Sequence, residues 1–199
     1  MIVHRKICLF VIGGSHFTKY IPNHSSWIHK LKEFDYVIKN SPVADLHLLV
    51  LDCQKFIESC LLKYTNPTIG VLGISSGGYY ALRLKKMIPR LSFCIGIAPV
   101  INPQLRKQLL QQLPALKLTP KLKQVIRATP LVRKIYNKLD SDTLIIVGKK
   151  DIQVPLEMFD EYHIPNLVVL KSQDHRITQE VFPEIMDQIN KFLKECDSK

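Results

Sequence analysis

Ser75 lies in the run Gly73-Ile74-Ser75-Ser76-Gly77, between an apolar segment at 69–72 and residues with helical spacing, Tyr80, Leu82, Leu84 and Met87. A serine at a sharp turn from strand to helix is held in strained backbone geometry, with its hydroxyl lifted above the sheet. That turn closes only if its neighbours carry little side chain, a need that Gly73 and Gly77 meet. The helix that follows begins with N–H groups lacking partners, so the N–H of Ser76 can point at an oxyanion forming on a carbonyl attacked by Ser75. The chemistry this suggests is nucleophilic attack on an acyl group. The five-residue pattern is short, and a plain Gly/Ser turn satisfies it as well.

A serine nucleophile needs a base, and the base needs an acid to orient it. In an open α/β sheet such groups come from loops at the carboxyl ends of other strands. Two loops qualify. The apolar run at 143–147 leads into Gly148-Lys149-Lys150-Asp151-Ile152-Gln153-Val154-Pro155, which presents Asp151. The run at 167–170 leads into Lys171-Ser172-Gln173-Asp174-His175, which presents His175 just before the last helix. Asp174 is the nearer rival for the acid but adjoins His175, and Asp142 precedes its strand and so lies at the wrong end of the sheet. His16 and Tyr79 are candidate substrate contacts. Each has an ordinary reading too, His16 as a partly exposed loop histidine and Tyr79, with Tyr80, as packing for the Ser75 helix. His4, His24, His29, His47 and His163 show no ligand spacing.

The elements that must position these residues follow from the apolar pattern. The stretch 6–12, continuously apolar from Ile7 on, ends at Gly13-Gly14, the mark of a strand buried on both faces in a parallel sheet. Ser25 and Ser26 can cap a short helix through Trp27, Ile28 and Leu31, and 34–38 reads as a second strand. Leu46, Leu49, Val50, Cys53, Phe56, Ile57, Cys60 and Leu61 recur at spacings of three and four, one face of a helix that Asn66-Pro67 ends. The Ser75 strand follows, then strands at 92–98, 143–147 and 167–170, with helices at 156–162 and 178–193. Strands alternating with helices imply an α/β fold: a mostly parallel sheet of about six strands, covered by helices on both faces, in a single domain over 1–199.

These residues resemble the α/β-hydrolase fold superfamily. The resemblance covers nearly the whole chain and rests on three marks in the order Ser, Asp, His: the nucleophile elbow at Ser75, the strand followed by G-x-x-D-x-x-V-P at 148–155, and the final histidine loop. It implies Ser75 as nucleophile, His175 as general base and then acid, and Asp151 as the residue holding the imidazole. It also implies two oxyanion donors, the N–H of Ser76 and one from the 13–16 loop, Gly14 or Ser15. That loop reads Gly-Gly-Ser-His rather than the common His-Gly. The superfamily usually has two more strands before the first one found here, so the chain reads as a minimal version. No metal or organic cofactor is implied. The activity implied is a serine hydrolase cleaving an ester or thioester, with an acyl chain in view. A catalytically silent binding or membrane-docking protein, or an amidase or peptidase using the same three residues, stays open.

Composition bounds the rest. With 199 residues, 46% of them hydrophobic, the chain can bury roughly 70% of its unfolded surface in one core. Cys8, Cys53, Cys60, Cys94 and Cys196 lie mostly in apolar patterns without metal spacing and read as buried free thiols of a reducing compartment. The apolar run after His4, Arg5 and Lys6 is too short for a secretory signal and lacks a cleavage site, which points to the cytoplasm. The net charge is +11, and no Asp or Glu occurs between Glu58 and Asp140, a gap that holds half of the 28 Lys and Arg residues. Within it, 101–139 alternates leucines with basic residues and is cut by Pro103, Pro114, Pro120 and Pro130, which reads as short amphipathic helices; by the resemblance, this segment falls where that fold carries its lid. Its leucines (Leu105, Leu109, Leu110, Leu113, Leu116, Leu118) would shape the acyl pocket and its basic residues face outward, toward an anionic membrane surface or simply solvent. Nucleic acid is not an expected partner, because the sequence shows no recognised nucleic-acid-binding module.

Overall fold

The computed structural model describes residues 6–13, 31, 34, 36–41, 45–102, 104–106, 108, 138–175 and 177–197. The described strands are β1 (Ile7–Ile12), β2 (Val37–Ser41), β3 (Thr68–Ile74), β4 (Phe93–Ile97), β5 (Thr143–Gly148) and β6 (Asn166–Leu170). Among the described residues three α-helices have full bounds: α1 (Leu46–Lys63), α2 (Ser76–Met87) and α3 (Phe182–Asp197). The strands form one six-stranded sheet in the order β2-β1-β3-β4-β5-β6, and every neighbouring pair is parallel.

Strict alternation along each strand divides the core in two, because successive side chains of a strand point to opposite faces. Cys8, Phe10 and Ile12 of β1, with Ile145 and Val147 of β5, pack with α1 and α2. Leu9 and Val11, with Leu144 and Ile146, pack with Phe182, Ile185, Met186, Ile189 and Phe192 of α3. A sheet buried on both faces explains why its central strands are continuous apolar runs. The helix α1 buries Leu49, Cys53, Phe56, Ile57 and Cys60, the spacing expected of one face, while Leu61 turns outward. Asp45 caps it, its Oδ1 accepting the N–H of Leu48 at 3.0 Å. This bond satisfies one of the orphan N–H groups at the helix start.

The chain leaves β1 for β2 on one side, then crosses back to place β3 on the other side of β1. The order therefore reverses between β1 and β3. Ligands of open α/β sheets bind at the carboxyl ends of strands at such a reversal. Here those two ends are Gly13 and Ser75.

Several bounds differ from the sequence expectation. The second strand runs over Val37–Ser41 instead of 34–38, and its last three residues are Lys39, Asn40 and Ser41. It is an edge strand, so one row of side chains can be polar without cost, and ladder bonds to Phe10, Val11 and Ile12 hold it. The expected helix at 156–162 is a single 3-10 turn, Leu156–Phe159, which ends where the N–H of Tyr162 bonds to the carbonyl of Phe159. The last helix starts at Phe182 rather than at 178. The short helix expected after Ser25, and residues 109–137 of the expected lid, lie outside the described residues.

Cys8, Cys53, Cys60 and Cys94 are buried free thiols and Cys196 is half-buried. Burial pushes the Cys8 and Cys53 thiols up to about 12, and Cys94 upward as well. A protonated thiol shielded from solvent is a poor nucleophile. Iodoacetamide applied to the native protein should therefore alkylate Cys196 and spare the other four, as read by peptide mass spectrometry; rapid loss of Cys53 or Cys60 would contradict this packing. A second expectation concerns Gly70, where an added Cβ would lie 2.2 Å from the ring of Phe93. That ring is fully buried and meets Phe192 of α3 edge-on at 6.4 Å. Gly70→Ala should cost about 1–3 kcal/mol in urea unfolding, the usual cost of overpacking a core.

Candidate active site

Ser75 joins β3 to α2 with φ 54° and ψ −121°. A non-glycine residue in that region is strained by about 1–3 kcal/mol and persists only where its surroundings fix it. The surroundings here are specific. The Ser75 N–H donates to the carbonyl of Ile97 at 2.9 Å, and the Ser75 carbonyl accepts from Gly78 and Val100, each at 3.0 Å. Ile97 ends β4, and Ala98 beyond it has φ 44° with its N–H bonded to Ile146 at 2.7 Å. Thus β4 and β5 together brace the turn.

The glycines act through space rather than through unusual torsions, since none of the described glycines has a positive φ. A Cβ on Gly73 would stand 2.3 Å from the carbonyl oxygen of Gly77, and one on Gly77 would stand 2.4 Å from the carbonyl oxygens of Ile12 and Gly13. A Cβ on Gly78 would strike Pro99 at 2.5 Å. The first turn of α2 therefore lies directly on the end of β1. This brings the start of α2, whose first residue is Ser76, against Gly13. Gly14, Ser15 and His16, the other expected oxyanion and substrate residues, lie outside the described residues.

The loops after β5 and β6 meet at Gly148, where a Cβ would lie 2.3 Å from the backbone oxygen of Gln173. Lys149 and Lys150 donate backbone N–H bonds to Leu170 at 2.8 Å and Gln173 at 3.0 Å, lacing the two loops together. This lacing sets Asp151 against His175. His175 Nδ1 is 2.8 Å from Asp151 Oδ2, and His175 Nε2 is 3.1 Å from Ser75 Oγ. Asp151 Oδ1 accepts the N–H groups of Gln153 at 2.8 Å and Val154 at 2.9 Å. An ionised carboxylate can only accept, so Nδ1 carries the imidazole proton and Nε2 is left to accept from the serine hydroxyl. Asp151 and Ser75 are buried, and His175 keeps a partly exposed edge.

Three of the residues singled out in sequence, separated by up to 100 positions, are thus brought into one hydrogen-bonded row. The rivals are elsewhere. Asp142 sits at the opposite end of β5 in an ion pair with Lys85, Nζ to Oδ2 2.7 Å, and Asp174 is exposed. Tyr79 is buried in the α1/α2 core, its ring edge-on to Tyr80 at 5.6 Å. His47 and His163 are exposed. Sequence reasoning missed the bracing pair Ala98 and Val100, and the buried Arg106 and Gln173; a left-handed alanine and a solitary buried cation leave no spacing signal. Among the described residues, no group of three or more His, Cys, Asp and Glu could hold a metal ion, and no helix is long and apolar enough to cross a membrane.

A row of this geometry can move a proton from a hydroxyl to an imidazole and back. It also has a spectroscopic mark, a low-field imidazole N–H resonance in the proton spectrum. That signal should vanish in Asp151→Ala and weaken in Gly148→Ala, where the added methyl pushes the histidine loop off; its persistence in both would contradict the arrangement.

No protein-family model matches the chain, and no curated protein matches it in sequence. Solved structures do. The esterase Pf2001 of Pyrococcus furiosus superposes with a TM-score of 0.66 at 18% identity, over 96% of this chain and 83% of that one. Est1E from Butyrivibrio proteoclasticus gives 0.61 at 16% identity, over 98% and 89%. Alpha/beta hydrolase domain-containing protein 10 from mouse gives 0.55 at 15%, over 94% and 90%. Together with the parallel six-stranded sheet and the elbow at Ser75, these similarities show that the chain has the α/β-hydrolase fold.

Proposed function

We propose that the protein is a serine hydrolase that cleaves a carboxylic ester or thioester through an acyl-enzyme. The observation that carries this reading is the row Ser75 Oγ, His175 and Asp151, with bonds of 3.1 Å and 2.8 Å, on a strained strand-to-helix turn. One of the similar structures, Pf2001 of Pyrococcus furiosus, is described as an esterase, which supports the same bond type.

In the first half-reaction Ser75 Oγ attacks the acyl carbon while His175 Nε2 takes its proton. Asp151 keeps the ring in the acceptor tautomer and stabilises the imidazolium that forms. Negative charge develops on the carbonyl oxygen, and the Ser76 N–H at the start of α2 is the donor poised for it. The second donor in this reading is Gly14 or Ser15. Collapse expels the alcohol or thiol, which receives the proton from His175. Water then enters and attacks the acyl carbon while giving a proton to His175, and the Ser75–acyl bond breaks as His175 returns that proton to Ser75 Oγ, releasing the acid. The strain at Ser75 keeps the hydroxyl presented throughout.

A fluorophosphonate probe tests the reading. The native protein should be labelled at Ser75, and Ser75→Ala and His175→Ala should both abolish labelling. Against aryl ester and thioester panels of varied chain length, Ser75→Ala should lower kcat by about 10,000-fold or more, with the thermal midpoint nearly unchanged. Turnover retained in Ser75→Ala, or a well-folded native protein that takes no label, would overturn the assignment.

A further inference from the structure

Among the described residues, two charged side chains are buried: Asp151 and Arg106, each 3% exposed. The pairing is unexpected because Arg106 belongs to the segment that sequence alone reads as a basic, outward-facing lid. It lies at the root of that segment, in a short helical turn at 104–106. Asn102 starts the turn, its Oδ1 accepting the N–H of Leu105 at 3.0 Å and its carbonyl accepting the N–H of Arg106 at 2.9 Å.

Arg106 does not reach the solvent. Its Nε donates to the carbonyl oxygen of Gln153 at 2.7 Å. That oxygen belongs to the same peptide unit as the N–H of Val154, which donates to Asp151 Oδ1 at 2.9 Å. The bonds therefore run in series: guanidinium to peptide oxygen, peptide N–H to carboxylate, carboxylate to imidazole, imidazole to serine hydroxyl. A cation on the oxygen of a peptide polarises it and strengthens its N–H as a donor. The acceptance at Oδ1 in turn leaves Oδ2 turned toward His175.

A buried guanidinium is costly unless its charge is compensated. Burial pulls Arg106 below the ordinary arginine range, and the field of Asp151 opposes that pull. A purely structural contact at this place needs no charge, since an apolar side chain would fill it with less desolvation. The charge is explained if the carboxylate needs it.

We infer that Arg106 is a positioning residue for Asp151: through the 153–154 peptide it fixes the carboxylate toward His175 and ties the root of the 101–139 segment to the hydrogen-bonded row. This rests on the hydrolase reading above. It differs from a merely structural role in one respect, that its effect must pass through the carboxylate.

The test is a double-mutant cycle on the full-length protein, read as the rate of fluorophosphonate labelling at Ser75 with the thermal midpoint recorded alongside. Arg106→Met should slow labelling by about 10- to 100-fold, the usual cost of losing a group that orients a reactive one, and Arg106→Lys should recover part of it. In an Asp151→Asn background the same Arg106→Met change should alter the rate by less than about twofold, because residues that act as a unit are non-additive. Labelling of Arg106→Met at the native rate, or an equal slowing in both backgrounds, overturns the inference. If Arg106→Met does not fold, Arg106→Lys carries the same comparison, since lysine keeps the charge without the planar fork. Absence of labelling on the native protein counts against the hydrolase reading instead. The inference then stands or falls on whether Arg106→Lys weakens the low-field His175 N–H resonance.

Discussion

The arrangement depends on one constraint, the close approach of the first turn of α2 to the end of β1. Gly73, Gly77 and Gly78 have backbone or proline atoms where a methyl group would go. With that space filled, α2 could not start where it does, and Ser75 could not be held at φ 54° between the ends of β3 and β4. The strain is local, of order 1–3 kcal/mol, and is opposed by three backbone bonds of roughly 1 kcal/mol each. A site that must present a hydroxyl in one direction is in this way built from backbone, the least adjustable material available. Side chains enter only at the tips.

The second half of the site obeys a related economy. Asp151 and His175 come from neighbouring strands of a parallel sheet, and the loops after such strands leave from the same edge. Contact between the loops at Gly148 then fixes the distance between the acid and the imidazole. The carboxylate is buried yet accepts two backbone N–H bonds, so its charge is solvated by fixed dipoles instead of water. Such dipoles need not reorganise when the imidazole becomes charged.

Much of this was legible in the sequence, and the reasons are physical. A strand buried on both faces must be apolar throughout, which is why β1, β3, β4 and β5 stand out as runs. Tight turns exclude side chains, which is why Gly73 and Gly77 frame Ser75. The misses have reasons of the same kind. The strand β2 lies at an edge and tolerates Lys39 and Asn40, so its end carries no apolar mark. The helical spacing of Leu156, Met158, Phe159 and Tyr162 is apolar burial within a 3-10 turn and the bend after it. Arg106 was indistinguishable from thirteen other basic residues in the acid-free stretch, because burial of one cation is decided by tertiary packing that local pattern does not encode. Ala98 takes its left-handed torsion from the need to turn β4 away beneath Ser75, again a demand of the neighbours.

The strands β4 and β5 pair directly, although 45 residues separate Ile97 from Thr143 in the chain. The intervening stretch is secured at its start by the Asn102 turn. It is secured at its finish by the Lys138–His163 bridge and the bond from Leu139 to His163. For a flexible connection the entropy of closure rises only slowly with length, about 0.6 kcal/mol for each doubling. The register of β4 on β5 is accordingly set by the fastenings at 102–106 and 138–139, whatever the length of chain joined between them.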